Sequence, residues 1–146
     1  MTLAQAYKKQ FGEVSYPFKI FDASGRKTYY ENSLGYWEKY EYDAKGNNTY
    51  RENSAGCWEK SEYDAKGNNT YRENSAGYWS RRKYDANSNK TYAEYSDGFW
   101  WKNEYDSKGK EVYYENSEGV KRDERKPSCE GKIVEVDGKK YELKEL

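Results

Sequence analysis

From Phe21 to Arg125 aromatic and polar side chains alternate in runs of about six residues, each run ended by a polar turn that carries glycine. NNTYRE and CWEKSEY are two such runs, rich in the Tyr, Trp and Thr that suit a pleated surface. A period of two sends successive side chains to opposite faces of a strand, and nothing in this region follows the helical period. The punctuation is of two kinds. Asp43 to Gly46 and Asp64 to Gly67 read Asp-Ala-Lys-Gly, where Asp opens a type I turn and Gly supplies the positive φ that follows. Asn53 to Gly56 and Asn74 to Gly77 read Asn-Ser-Ala-Gly and use the same chemistry. The pattern predicts an all-β fold, an antiparallel meander or spiral of about ten short strands joined hairpin to hairpin.

The alternation is itself repeated. YDAKGNNTYRENSAG occurs unchanged at residues 42–56 and 63–77, and from Phe21 the chain divides into five units of 21 residues whose register never slips. Three segments follow: an N-terminal cap over residues 1–20, the repeats over 21–125 and a C-terminal cap over 126–146. Because the period is odd, every unit can present the same face only if its two turns differ in parity. One regular turn and one turn with an extra, bulged glycine are therefore expected in each unit. In that register Trp37, Trp58, Trp79 and Trp100 share a face with Tyr29, Tyr50, Tyr71 and Tyr92, while Tyr30, Tyr36, Tyr42, Tyr63 and Tyr78 fall on the other. Equivalent residues recur on every second strand, roughly 10 Å apart. Such a sheet can stand as a single layer or curl on itself.

The flanks break the pattern. MTLAQAYKKQFG suits one short amphipathic helix, expected to cover the first strand edge, and KIVEVDGKKYELKEL alternates around Asp137-Gly138, a two-residue hairpin signal. Pro127 separates that hairpin from the repeats. Both pieces read as end caps of a repeat array.

Composition changes one part of this picture. Leu, Ile, Val and Phe supply 15 of 146 residues, a share normally read as disorder, but 27 residues are Phe, Trp or Tyr and the net charge is zero. A buried aromatic removes roughly 150 to 250 Å² from water, so rings are expected to replace the aliphatic core. The 26 basic and 26 acidic residues are interleaved, which argues against a basic tail for polyanions and against an acidic mimic of DNA. No run is long and apolar enough for a secretory signal or a membrane span, so a soluble, cytoplasmic protein with no membrane contact is expected. Cys57 stands where sister units carry Tyr36, Tyr78 and Phe99, and with Cys129 as the other thiol it reads as an incidental substitution.

Tyr42-Asp43-x-x-Gly46-Asn47 and Tyr63-Asp64-x-x-Gly67-Asn68 resemble the Tyr-Asp repeats of the bacterial rearrangement-hotspot (Rhs) toxin shells, whose units of about twenty residues form spiralling antiparallel sheet. The resemblance covers six positions per unit across residues 21–125. It departs in lacking any toxin or protease domain and in its Asn-Ser-x-Gly-Tyr-Trp half, whose Gly-Tyr-Trp portion is similar to the aromatic hairpins of choline-binding cell-wall repeats. Short arrays of this kind also resemble accessory proteins of phages and mobile elements, some of which inhibit host defence systems. The resemblance implies an architecture and leaves activity open.

Catalytic chemistry finds little support. Histidine is absent, which removes the commonest general base and metal ligand, and two distant cysteines cannot form a four-ligand zinc site. No phosphate-binding glycine loop and no nucleophile motif is present. Asp43, Asp64, Asp85 and Asp106 each stand alone beside turn residues, unlike the crowded carboxylates of a calcium loop. Glu31, Glu52, Glu73, Glu94 and Glu115 recur at one position with Lys39, Lys60, Arg81 and Lys102 available as cross-strand partners, so ion pairing rather than acid–base work is expected. No cofactor and no enzymatic activity are expected.

The aromatic ladder remains. Most of its rings are expected in the core. The functional alternative is an open ladder of Trp37, Trp58, Trp79, Trp100 and Trp101 flanked by Arg51, Arg72, Arg81, Arg82 and Lys83, of the type that marks binding sites. Trp100-Trp101 is the best pair, because neighbours in a strand point to opposite faces and both cannot enter one core. A non-enzymatic module that binds a protein partner is the leading reading. Carbohydrate binding through stacked rings and single-stranded nucleic-acid binding through stacking and the Arg81 to Lys83 run are the alternatives.

Overall fold

A computed structural model describes residues 1–125 and 131–144. Pro127 and Cys129, singled out above, lie outside the described residues. Among the described residues a single helix, α1 (Leu3–Phe11), precedes eleven strands that pair strictly in chain order, each antiparallel to the next. They are β1 (Phe18–Phe21), β2 (Lys27–Glu31), β3 (Trp37–Tyr42), β4 (Asn48–Asn53), β5 (Trp58–Tyr63), β6 (Asn69–Asn74), β7 (Trp79–Tyr84), β8 (Lys90–Tyr95), β9 (Trp100–Tyr105), β10 (Glu111–Asn116) and β11 (Lys121–Asp123). The ladder ends at β1 and β11 without closing into a barrel. The repeats thus contribute ten strands, and β1 adds one. A separate hairpin, β12 (Ile133–Val136) and β13 (Lys139–Glu142), turns at Asp137 and Gly138, both at positive φ. No helix among the described residues is long and apolar enough to cross a membrane.

Parity is solved in the strand rather than in the turn. Both turns of a unit close in the same way: Gly46 N–H donates to Asp43 O and Asp43 N–H to Asn47 O, just as Gly56 N–H donates to Asn53 O and Asn53 N–H to Cys57 O. Both glycines take the left-handed region, Gly46 at φ 91° and Gly56 at φ 76°. The pairing from β4 to β5 runs without a shift, whereas between β3 and β4 Glu41 faces Tyr50 and Tyr42 faces Asn48, leaving Thr49 as the extra residue. Thr70 and Thr91 occupy the same place, as do Thr28 and Val112. One bulge per unit occurs as the odd period requires, but the extra residue is β-branched and lies one step inside the strand after the Asp turn.

A bulge leaves a carbonyl free of the ladder, and here a tyrosine of the following unit finds it. Tyr42 Oη donates to Lys27 O at 2.9 Å, Tyr63 to Asn48 O at 3.0 Å, Tyr84 to Asn69 O at 3.0 Å and Tyr105 to Lys90 O at 3.1 Å. The Tyr of each Tyr-Asp pair is therefore a rung between consecutive units, and the Asp beside it organises the turn. Asp43 Oδ1 accepts the N–H groups of Lys45 and Asn47 while Oδ2 accepts Asn47 Nδ2. At the opposite end of the strands, Ser54, Ser75, Ser96 and Ser117 each donate N–H to the carbonyl of the preceding tryptophan, Trp37, Trp58, Trp79 and Trp100.

The sheet is one layer thick, and this corrects the expectation of an aromatic core. Among the described residues the buried apolar set is Ala4, Tyr29, Ala93 and Tyr113, and all five tryptophans are half-buried. Rings pack across the sheet surface against cross-strand neighbours and under basic side chains. Arg81 lies 5.2 Å from the Trp79 ring and 5.9 Å from Tyr71, Lys102 5.9 Å from Trp100, and Lys39 5.6 Å from Tyr50.

Candidate functional site

The ladder register places every predicted site residue. One face, here called the tryptophan face, carries Trp37, Trp58, Trp79 and Trp100 with Tyr29, Tyr50, Tyr71, Tyr92 and Tyr113, because Trp37 faces Glu31, Trp58 faces Glu52 and so on along the array. Arg81 and Lys83 lie on this face. Trp101, Arg51, Arg72 and Arg82 lie on the other. The basic run at 81–83 is therefore split between two surfaces, and the Trp100-Trp101 pair is split as its adjacency in a strand requires.

The reverse face is largely self-satisfied. Arg51 and Arg72 both pair with Glu59, and Arg82 donates to Asn69 Oδ1. Small residues, Ser61, Ser80 and Ala93, lie buried between larger neighbours, with Trp101 directly opposite Ala93 and Lys90 5.7 Å from its ring. Ser80 Oγ and Asn103 Oδ1 are buried there without a hydrogen-bond partner. Cys57, in the turn before β5, is exposed.

The tryptophan face has a repeated seat. Each unit contains Tyr-x-Glu, two residues apart on one strand, and in the first four units the carboxylate lies directly opposite the tryptophan of the next strand. The phenol holds the carboxylate: Tyr29 Oη donates to Glu31 at 2.9 Å, Tyr71 to Glu73 at 3.2 Å and Tyr113 to Glu115 at 2.8 Å. Burial and the adjacent carboxylate raise the pKa of Tyr29 to about 12, and the same causes raise Tyr50 and Tyr71. Across the ladder Glu52, Glu73, Glu94 and Glu115 face Lys39, Lys60, Arg81 and Lys102 as expected, but of these pairs only Lys102–Glu115 closes to an ion pair, at 3.9 Å. The carboxylates are oriented by phenols more than by cations. Sequence reasoning saw the glutamates and missed this pairing, although the i, i+2 recurrence of Tyr-x-Glu signals it.

The two ends of this face are covered by the chain itself. At the first unit α1 lies on the face, not on the edge of β1. Glu31, 2 % exposed, accepts Thr2 Oγ1–H at 2.7 Å and the Ala4 N–H at 3.2 Å. Ala4 is fully buried, and the rings of Tyr7, Phe18, Tyr29 and Trp37 run in sequence with centroids 5.5, 6.3 and 6.3 Å apart. At the fifth unit Lys121 replaces the tryptophan and the Arg125 guanidinium lies 4.2 Å from the Tyr113 ring, leaving Tyr113 buried. Between them the second, third and fourth units leave Tyr50, Tyr71, Tyr92, Trp58, Trp79 and Trp100 half-buried. A shallow groove there is lined by Lys39, Glu41, Tyr50, Lys60 and Glu62.

The five Asp turns are electrostatically quiet. Hydrogen bonds from the Asn47, Asn68 and Asn89 side chains hold Asp43, Asp64 and Asp85 below the usual carboxylate range, and backbone N–H groups of Arg26 and Lys110 do so for Asp22 and Asp106. Among the described residues no group of three or more Asp, Glu, Cys or His side chains is placed to hold a metal ion.

No protein-family model and no curated protein matches the chain. Solved structures do. The crystal structures of TcdB2-TccC3-TEV, TcdB2-TccC3-Cdc42 and TcdB2-TccC3 superpose with TM-scores of 0.54, 0.53 and 0.53 at 18 % identity, each over 68 % of this chain. The match spans about 5 % of the length of those chains. The likeness is one of fold, a β-repeat architecture.

Proposed function

We propose that the chain is a non-enzymatic binding module that grips a protein partner with the open part of its tryptophan face, an accessory protein of a phage or mobile element such as an inhibitor of a host defence system. One observation carries the reading: the same face is covered at both ends by the chain's own residues and left open in the middle, where half-buried Trp58, Trp79 and Trp100 stand in register beside Lys60, Arg81 and Lys102. Tyr, Trp and Arg in such an array are the residue types that dominate interface hot spots. A repeated surface also adds many modest contacts without new chemistry, which suits the absence of catalytic motifs. The cations lying over the rings weigh against carbohydrate stacking, since a sugar would have to displace them. The split of Arg81, Arg82 and Lys83 between faces weighs against a nucleic-acid groove.

The test is capture from a bacterial lysate, identification of the partner and titration with purified components. Trp58→Ala, Trp79→Ala and Trp100→Ala together lower affinity at least about tenfold, while Arg51→Ala, Arg72→Ala and Arg82→Ala together leave it within about threefold. Equal losses from both sets overturn the assignment of the face. Retention on cell-wall polysaccharide, or polyanion binding that falls steeply with salt, replaces the protein reading with the corresponding rival.

A further inference from the structure

The first unit shows what its seat accepts. Glu31 takes two donors from the start of α1, the hydroxyl of the N-cap Thr2 and the N–H of Ala4, which belongs to the first turn and has no partner inside the helix. The methyl side chain of Ala4 is what lets the helix come this close; it is 0 % exposed. The Glu31 carboxylate oxygens also face the positive end of the helix dipole. Hydroxyl, free N–H and dipole are general features of a helix start, and the small side chain is the feature that selects among them.

The same seat recurs in the three open units. Glu52, Glu73 and Glu94 each lie opposite a tryptophan, Trp58, Trp79 or Trp100, on the strand that follows, and two residues beyond a tyrosine, Tyr50, Tyr71 or Tyr92. Two elements differ. Among the open units the tyrosine's hydrogen bond to the carboxylate closes at Tyr71–Glu73, and where Phe18 lies opposite Glu31 and packs under Tyr7, the open seats have Lys39, Lys60 and Arg81. A cation in that place suits an acidic side chain where α1 has the aromatic Tyr7.

We propose that Glu52, Glu73 and Glu94 are seats for the N-termini of helices of a partner protein, helices with Ser or Thr at the N-cap, Ala or Gly two residues later and Asp or Glu five residues after the cap. This rests on the protein-binding reading above and names the chemistry of the partner. The three seats follow each other at roughly 10 Å, the distance between packed helices, so neighbouring seats match the helix starts of one bundle.

The probe is an Ala/Lys-rich helical peptide of about 20 residues that begins Ser-Leu-Ala-Gln-Ala-Glu, long enough to hold its helix in water. It is titrated into the isotopically labelled full chain with the indole resonances of Trp58, Trp79 and Trp100 as readout. Saturable shifts of these indoles are expected. Binding is expected to weaken at least about tenfold when Glu52, Glu73 and Glu94 are all changed to Gln, or when the Ala two residues after the N-cap Ser of the peptide is changed to Leu. The Gln variants keep the volume of each seat, and unchanged tyrosine-rung amide shifts report that the sheet is intact. Absence of shifts at millimolar peptide, or shifts that the Gln variants leave unaltered, overturns the seat. A concentration-dependent dimer of the chain that Ala4→Leu dissolves replaces the foreign helix with a second copy of α1 and likewise overturns it. If a partner is captured by the tryptophan face while the peptide fails, the protein-binding reading stands and the helix-start inference alone falls.

Discussion

The first and third units carry the same seat, Tyr29-x-Glu31 opposite Trp37 and Tyr71-x-Glu73 opposite Trp79, and differ in what lies over it. In the first, α1 closes the seat and Glu31 is 2 % exposed with three hydrogen-bond donors. In the third, Glu73 keeps the tyrosine alone and remains half-exposed. The comparison teaches that a single sheet layer buries a carboxylate only where a second element brings donors to it, since an unpaired buried charge would neutralise or stay wet. One substitution on the neighbouring strand, Phe18 in place of the Lys60 position, makes the difference between an apolar floor for Tyr7 and a solvated cation.

Breaking the covered seat has the largest expected effect. Glu31→Ala strands Thr2 and Ala4 and costs about 2 kcal/mol in urea unfolding, with loss of helical signal. Trp79→Ala, in the open middle, removes a half-buried ring and costs about 1 to 2 kcal/mol while the sheet survives, a result read from the same unfolding curves. Tyr63→Phe deletes a rung to the Asn48 carbonyl and costs about 1 kcal/mol, detectable as faster hydrogen exchange at the bulges of the second and third units. Glu73→Ala is the matched control for Glu31, with a cost of about 0.5 kcal/mol or less; a cost equal to that of Glu31→Ala would erase the distinction between the two seats.

Alkali separates the seats without mutation. The phenol of Tyr29 is raised to about 12, above the roughly 10 of an unfolded tyrosine, so its contribution is complete below pH 10 and is lost as pH rises toward 12. Raising the pH through that window is expected to release α1 before the middle strands, followed by helical circular dichroism against tryptophan fluorescence. Simultaneous loss of both signals counts against a separately held end.

Much of this architecture is legible in the alternation. The strand limits, the two glycine turns, the sharing of a face by Trp58 and Tyr50 and the opposition of Glu73 and Lys60 follow from a period of two and a unit of odd length. The bulge was legible in number but not in place. Turn chemistry points to glycine, whereas the extra residue is Thr49 or its equivalents, because a strand can absorb an unpaired residue wherever a neighbouring unit satisfies the freed carbonyl. That neighbour, Tyr63 for Asn48, acts from 15 residues away.

The sequence by itself determined the repeat, the antiparallel order and the two-faced aromatic ladders, because these depend on backbone sterics and local side-chain alternation. Only the tertiary structure decided that the sheet remains one layer, that α1 lies on its tryptophan face rather than at its edge, and that Glu31 is buried while Glu73 is open. Alternation is the same for a strand in a sandwich and a strand in a single sheet; which face is covered depends on contacts between segments far apart in the chain, and no local pattern encodes them.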